Sequence, residues 1–265
     1  MSPLSKILSG KGADGVVIFQ SVAIIPPLAV ILWERGTASQ TQLVAALVVV
    51  LVWDALFSVV RGQRIAGHGI TTAAIFVVFA PPELALWQLA VALSLGTVIG
   101  ELIFGGRGFA FLGAATVALA TLLLSFPDLS LSDPGQAVAI ATLPGAALLL
   151  VTGLLPWRVA GAFLVVLAAA AFSAGQLLGF WLFGSAVFAL VFLVADPAAS
   201  SVTPIGRLAQ GALAAILAAL FNDAGWTSLQ PEALVYAALL ASIFAPLLDV
   251  LAVALNGLQR RRRHV

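Results

Sequence analysis

Long apolar runs alternate with short polar breaks along this chain, from about residue 17 to about residue 256. A helix needs about 20 mostly apolar residues to cross the hydrocarbon layer of a bilayer. The pattern therefore predicts an all-α, polytopic membrane protein with about ten transmembrane helices. We place the spans at residues 17–33, 42–60, 69–80, 84–104, 108–126, 136–155, 159–174, 177–194, 208–221 and 232–256.

The basic residues orient these spans, because cytoplasmic loops collect Lys and Arg. With ten spans, eleven of the twelve basic residues fall on one side and only Arg35 falls on the other. We therefore expect both termini to be cytoplasmic, and the N-terminal arm lacks the pattern of a cleavable signal peptide. The arginine-rich C-terminus is typical of a stop-transfer anchor or of a contact with anionic lipid. The cytoplasmic set is Lys6, Lys11, Arg61, Arg64, Arg107, Arg158, Arg207 and Arg260 to Arg263.

Composition supports a chain that lies in the lipid bilayer. Of the 265 residues, 62% are hydrophobic and only 9% are charged, whereas a soluble domain is about 25% charged. A net charge of +1 gives no indication of nucleic-acid binding. The absence of cysteine excludes disulfides and thiolate metal sites within this chain, and no His/Asp/Glu spacing suggests a metal site.

Two segments 116 residues apart suggest an internal repeat. Phe76, Val78 and Pro81 match Phe192, Val194 and Pro197, and each set ends an apolar run at a proline turn. About five spans fit in each unit, and an odd number of spans inverts the second unit, which gives an inverted 5+5 repeat. The predicted organisation is a cytosolic arm (1–16), a first five-helix repeat (17–126), an outer loop (127–135), a second repeat (136–256) and a basic cytosolic tail (257–265).

Three sequence blocks resemble the RnfD/NqrB family, the membrane subunits of Rnf-type and sodium-pumping NADH:quinone oxidoreductase complexes. The first block is ADPAASSVTPIGRLAQG, from Ala195 to Gly211. The second is QPEALVYAALLASIFAPLLD, which ends at Asp249, and the third is APPELALW followed by GTVIGELIFGGRG. The resemblance implies an inner-membrane subunit of a flavin-based electron-transfer system, with coupling to ion translocation, and other membrane or flavinylated redox subunits as partners.

The chain departs from the family pattern where that family attaches FMN covalently. The family carries its flavinylated threonine in a long outer loop, but the corresponding loop here is only PDLSLSDPGQ. The nearest threonine is Thr142, which more simply hydrogen-bonds the backbone of its own helix. We therefore expect a flavin, FMN or riboflavin, to be non-covalent where one is bound, and we expect no covalent FMN.

The polar stretch after span 8 is the principal candidate for cofactor binding. Asp196 is expected to cap the following turn or to pair with Arg207. In the alternative interpretation the turn lines a cavity, where its hydroxyls and amides would suit a flavin. Thr71 and Thr72 open the short span 3 and either cap it or face a pocket. Neither segment can satisfy its backbone in lipid, so we expect them to meet around one central cavity. The candidates are Asp196, Ser200, Ser201, Thr203, Arg207, Thr71, Thr72 and Thr142.

Three acids are candidates for an ion pathway. Asp54 lies in the middle of span 2, where a charge costs about 2.5–3.5 kcal/mol and needs a partner or a proton. It is expected to serve an ion or proton pathway or to form a buried structural pair. Glu101 and Asp249 lie near the inner ends of their spans. For these two acids the alternative to an ion pathway is a carboxylate that reaches solvent.

Two other functions fit the same layout. An inverted repeat is also typical of small-solute channels and transporters, and an accessory membrane protein could keep the fold without the cofactor. Flavin absorbance of the purified protein would separate these hypotheses.

Overall fold

The computed structural model describes residues 12–62, 67, 69–106, 109–173, 175, 184–222 and 229–262, with the side chains of 12–14 and 257–262 excepted. All regular secondary structure in these residues is helical, and each predicted span overlaps one helix, while residues 177–183 of the predicted eighth span lie outside the described residues. The helices are α1 (Gly12–Glu34), α2 (Thr37–Arg61), α3 (Gly69–Phe79), α4 (Leu86–Thr97, continued by a π-helical turn, Val98–Leu102), α5 (Ala114–Ser125), α6 (Gly135–Val151), α7 (Trp157–Ser173), α8 (Ser185–Ala189, continued by a π-helical turn, Leu190–Val194), α9 (Pro204–Leu220) and α10 (Pro231–Arg262).

Local sequence explains where several helices begin and end. Glycines with positive φ flank α2, Gly36 at 60° and Gly62 at 64°, a region of backbone space that side chains with a Cβ avoid. Pro204 begins α9, and the Thr203 hydroxyl accepts the Gly206 N–H at 3.0 Å as its N-cap. Helix α3 ends before the Pro81–Pro82 pair, because proline cannot donate the backbone hydrogen bond that would continue the helix.

Helix length separates the ten helices into two groups. Three stretches are long and apolar enough to cross a membrane: Gly15–Glu34, Thr37–Arg61 and Pro231–Asn256. The other described apolar helices have 10 to 17 residues, and a helix rises only about 1.5 Å per residue. That all ten helices cross the bilayer therefore stays a prediction.

The two shortest of the described helices, α3 and α8, lie at the centre of the protein. Every residue of α3 from Thr71 to Phe79 is buried, and so is every residue from Phe188 to Val194 of α8. Phe188 joins them, since its ring centroid lies 5.4 Å from that of Phe79 and 4.8 Å from that of Phe192. Short helices of this kind are shielded by the longer helices around them.

Helix packing in the first half recurs in the second half. In the first half, α2 packs on α3 and α4, α4 packs on α5, and α1 and α5 pack on α3. In the second half, α7 packs on α8 and α9, α9 packs on α10, and α6 and α10 pack on α8. The halves join where α1 packs on α6 and α5 on α10. At the first junction Gly145 leaves no room for a side chain, because a Cβ there would lie 2.3 Å from the Ala23 carbonyl oxygen.

The helix ends form two sides of the molecule, which we name for the segments they contain. The turn side holds the turn after α8 (195–203), the start of α3 and the segment before α5 (109–113). The linker side holds the connection between the halves (126–134), the end of α3 and the starts of α8 and α10.

Candidate functional site

Asp249 of α10 holds the turn after α8 in place. Its carboxylate accepts the backbone N–H groups of Val202 at 2.8 Å and Thr203 at 2.9 Å, and also the Thr203 hydroxyl. Gly206 makes this approach possible, because a Cβ there would lie 2.4 Å from Asp249 Oδ1. Asp249 is half-buried, so it keeps the access to solvent that one interpretation gave it, and in addition it accepts these hydrogen bonds from the turn.

The remaining polar groups of the turn are also bonded within the chain. Gln210 of α9 accepts the Ser201 N–H at 2.7 Å and donates to the Ala199 carbonyl at 3.0 Å. Arg207 Nε donates to the Ser201 carbonyl at 2.9 Å. The Ser200 hydroxyl donates to the Asp196 carbonyl at 2.7 Å, and the Ser201 hydroxyl donates to the Ala245 carbonyl at 3.3 Å. The hydroxyls and amides predicted to face a flavin thus have protein partners.

Asp196 caps the turn that it begins, as one of the two sequence interpretations predicted. Asp196 is only 7% exposed, and its Oδ1 accepts the Ala198 N–H at 3.2 Å and Gln20 Nε2 at 3.5 Å. Arg207 instead bonds Ser201 and lies close enough to Asp249 to act on its charge. Asp196 therefore links α1 to the turn, while Arg207 and Asp249 belong to the neighbouring cluster.

The turn and α3 meet around a cavity, as the sequence predicted. Its walls include Thr72 and Ile75 of α3, Glu101 of the π-helical turn of α4, and Asp196 and Ala198 of the turn after α8. The volume open to the centre of a water-sized sphere is about 10 Å³, which is room for about one water molecule. Two carboxyl groups and a threonine hydroxyl thus surround one very small polar space.

Glu101 is buried, which corrects the interpretation of this acid as a solvated one. It is 7% exposed and lies in the π-helical turn Val98–Leu102. π-helical turns are rare and often lie at functional sites. Thr71 and Thr72 are both buried in the first turns of α3, and of the two Thr72 lines the cavity.

Asp54 and Thr142 lie outside the lining of this cavity. Asp54 of α2 is buried and its Oδ2 accepts the Gly69 N–H at 3.3 Å, so it caps the start of α3. This contact gives the buried acid the structural partner that one interpretation required. Thr142 is fully buried in α6, and its hydroxyl donates to the Val138 carbonyl at 2.7 Å, as predicted.

A wider groove adjoins the cavity on the turn side. It is lined by Phe111, by the turn from Ala198 to Val202 and by Ala245, Pro246 and Asp249 of α10, and it encloses about 230 Å³. The groove and the cavity share Ala198 as a wall. Among the described residues, no group of three or more His, Cys, Asp and Glu side chains is arranged to hold a metal ion.

Three glutamines contribute to these contacts and were missed by the sequence analysis. Gln20, Gln42 and Gln210 are all buried in largely apolar helices. Buried polar groups require hydrogen-bond partners, so a single amide in an apolar helix was a signal of a contact. Among the described residues Gln20 Oε1 has no hydrogen-bond partner, although its amide nitrogen reaches Asp196.

Comparison with family models and comparison with individual curated proteins point to the same family. The model of the NQR2, RnfD, RnfE family matches residues 4–134 and again residues 129–256. Three of the curated relatives are subunits B of the Na(+)-translocating NADH-quinone reductase. The protein from Chromohalobacter salexigens is 27% identical over 266 residues, covering 80% of this chain and 64% of the relative. Those from Pseudomonas paraeruginosa and Haemophilus influenzae are 27% and 26% identical, each covering 80% of this chain and 66% of the relative. This chain thus spans just under two thirds of the length of these relatives.

Proposed function

Because the chain belongs to the NQR2, RnfD, RnfE family, we propose that it is an integral membrane subunit of an electron-transfer complex resembling the Rnf and Na(+)-translocating NADH-quinone reductase complexes. The observation that carries this proposal is the double match, since the two matched segments together run from residue 4 to residue 256. The family resemblance predicted from the sequence blocks is confirmed by the same match. The contact between two of those blocks, Thr203 with Asp249, gives them a shared structural role.

The proposed topology is ten membrane-crossing helices in an inverted 5+5 repeat, with the turn side in the cytoplasm. The recurrence of the packing pairs after five helices supports it, as does the double family match. Arg61, Arg158 and Arg207 lie at turn-side helix ends, where the preference of Lys and Arg for the cytoplasm would place them. The bacterial cytoplasmic membrane is the location that this topology fits.

The acids around the small cavity are the proposed ion or proton pathway. Glu101 and Asp196 are both buried and both line it, and intramembrane acids commonly mark such pathways. Asp54 of α2 accepts the N–H of Gly69 at the start of α3, and Gly69 lies one helical turn before Thr72. Asp54 would therefore extend the pathway toward α2. Asp249 has a different role in this proposal, since it positions the turn that carries Asp196.

The small cavity at α3 is itself too small to hold a flavin. The cavity has room for about one water, and the donors of the adjacent turn are bonded to protein groups. Thr142 is fully buried and bonded to its own helix. We therefore propose that any flavin of the complex is carried by a partner subunit, which the open groove beside Phe111 would face.

Purification of the tagged chain, alone and with its native membrane partners, tests this proposal. We expect the complex to show flavin absorbance and the separated chain to show none. Intact-mass spectrometry of the denatured chain should give the unmodified mass, and Thr142→Val should change it only by the substitution. An FMN-sized adduct lost in Thr142→Val would contradict the assignment of flavin to a partner. Isolation from native membranes without redox subunits would contradict the proposed complex.

A charge-neutral variant tests the pathway separately. Asp196→Asn keeps an oxygen that can accept the Ala198 N–H, so the fold should be retained while the carboxylate is lost. We expect a large loss of ion- or proton-coupled turnover in the reconstituted complex, with electron transfer through the remaining subunits less affected. Asp128→Asn, an exposed acid of the linker, is the matched control. Equal coupling in the two variants would remove Asp196 from the pathway.

The size of the cavity argues against the alternative of a small-solute channel. A passage for a solute needs more space than one water molecule occupies, and the cavity at α3 has about 10 Å³. The double family match is the observation that favours electron transfer.

A further inference from the structure

The linker between the two halves is bonded to both of them. The Ser132 N–H donates to the Phe79 carbonyl at 2.9 Å, at the end of α3. The Leu131 N–H donates to Glu232 Oε1 at 2.6 Å, in the first turn of α10. Two consecutive amides of one short loop thus hold the linker-side ends of helices from different halves.

Three side-chain and backbone donors from other segments reach the end of α3 and the turn that follows it. Besides the Ser132 contact, Arg35 Nη1 donates to the Ala80 carbonyl at 2.8 Å. Gln42, which is only 3% exposed, donates to the Pro81 carbonyl at 2.7 Å. The last carbonyls of a helix have no partner within it, so these three contacts close an end that would otherwise require water.

The start of α8 lies against the same linker. A Cβ on Gly184 would lie 3.3 Å from Asp133 Oδ1, which shows how closely the two segments approach. The Ser185 hydroxyl donates to the Leu229 carbonyl at 2.8 Å, which ties α8 to the segment before α10. Burial lowers the pKa of Arg35, and the nearby charges of Glu34, Asp133 and Glu83 oppose that effect. Acidic groups from three segments thus act on the charge of Arg35 at this end of the molecule.

Apolar side chains of the linker face inward. Leu131 and Pro134 are buried, and the Phe126 ring packs edge-on against Trp87 with centroids 5.2 Å apart. The linker therefore covers the central helices as a packed layer.

We propose that the linker, residues 126–134, is a fixed seal over the linker-side ends of the central pair α3 and α8. Within the part of the chain that the structure describes, water then reaches the acid-lined cavity from the turn side. The eleven residues of α3 span about 16 Å, roughly half of a hydrocarbon layer of about 30 Å. An open linker side would bring water deep into the membrane, and the seal prevents this. The inference goes beyond the proposed electron-transfer role and does not depend on it.

Cysteine accessibility tests the seal directly, because the chain has no cysteine of its own. Ala80→Cys places a thiol at the fully buried end of α3 on the linker side, and Ala198→Cys places one in the cavity wall on the turn side. The two variants are reconstituted in nanodiscs, where both faces are open to a water-soluble maleimide. We expect Ala198→Cys to react about tenfold or more faster than Ala80→Cys, since the latter is exposed only by local unfolding.

Loosening the linker should then expose the protected thiol. In the Ala80→Cys background, Glu232→Ala removes the acceptor of the Leu131 N–H, and we expect labelling to accelerate about tenfold, as loss of a charge-assisted hydrogen bond allows. Glu232→Gln keeps an acceptor oxygen and should stay protected, and Asp128→Ala, in the same linker, should also have no effect. Comparable labelling of Ala80→Cys and Ala198→Cys without any further substitution would overturn the seal. So would continued protection of Ala80→Cys in a folded Glu232→Ala protein.

Discussion

The turns after α3 and α8 occupy matching places in the two halves but are stabilised in different ways. The turn after α3 contains Pro81 and Pro82, and its carbonyls are bonded by Arg35 and Gln42 from outside the turn. The turn after α8 contains its own acid, because Asp196 accepts the Ala198 N–H. Additional bonds to the second turn come from Gln210 and Asp249.

This difference shows that the repeat preserves packing more closely than hydrogen bonding. Both turns end a short central helix, and both helices pack against corresponding neighbours. The polar partners differ because any nearby donor or acceptor can satisfy a backbone group. The second turn carries the carboxylate of Asp196, which lines the small cavity, so the described halves are alike in packing and different in chemistry.

The largest expected effect is at Asp249. Asp249→Ala leaves two backbone N–H groups and the Thr203 hydroxyl without their acceptor. We expect the free energy of unfolding to fall by about 3 kcal/mol. This loss is smaller than the full contribution of three hydrogen bonds to a buried carboxylate, because Asp249 is partly exposed to solvent. Reversible denaturation in detergent measures this, with Asp128→Ala as the exposed-acid control. A loss no larger than that of the control would show that α10 does not hold the second turn.

The first turn should be weakened by a substitution outside it. Gln42→Ala removes the donor to the Pro81 and Pro82 carbonyls, while the Pro81 carbonyl keeps the Leu84 N–H. We expect a loss of about 2 kcal/mol for the two hydrogen bonds removed. Gln40→Ala, two residues away and exposed, is the matched control in the same denaturation experiment. If the two variants are equally stable, the first turn does not depend on α2.

The smallest effect on stability is expected at Asp196. Asp196→Ala removes a cap bond of 3.2 Å and a long contact of 3.5 Å to Gln20, which together are worth about 1 kcal/mol. The order Asp249, Gln42, Asp196 in measured unfolding free energies is the prediction. A larger loss for Asp196→Ala than for Asp249→Ala would show that the cavity, and not the α10 contact, stabilises the second turn.

Much of the fold followed from local sequence. Each of the ten predicted spans corresponds to a helix, although the fifth, predicted from residue 108, begins at Ala114 and the ninth, predicted from residue 208, begins at Pro204. The ninth boundary was missed because Pro204 and the Thr203 cap lie within the polar stretch. Apolar run length is a property of a single segment, so sequence alone could locate the apolar helices that the structure describes.

The site was only partly predictable, because its contacts join distant segments. The sequence identified Asp196, Glu101 and Thr72 as candidates and placed α3 beside the turn. It gave Glu101 a solvated alternative, whereas the π-helical turn and the surrounding helices bury that side chain. That the hydroxyls of the turn face a flavin stays a prediction. The structure adds that Asp249 accepts the Thr203 hydroxyl and that Gln210 accepts the Ser201 N–H.

The sequence by itself determined that the chain is helical and apolar, that it has two related halves, and that particular polar residues interrupt its apolar segments. Tertiary structure alone decided which carboxylate meets which amide, such as Asp54 with Gly69 and Asp249 with Thr203. The physical reason is that hydropathy acts on each segment separately, while a buried polar group takes whichever partner the packing of other helices brings within about 3 Å.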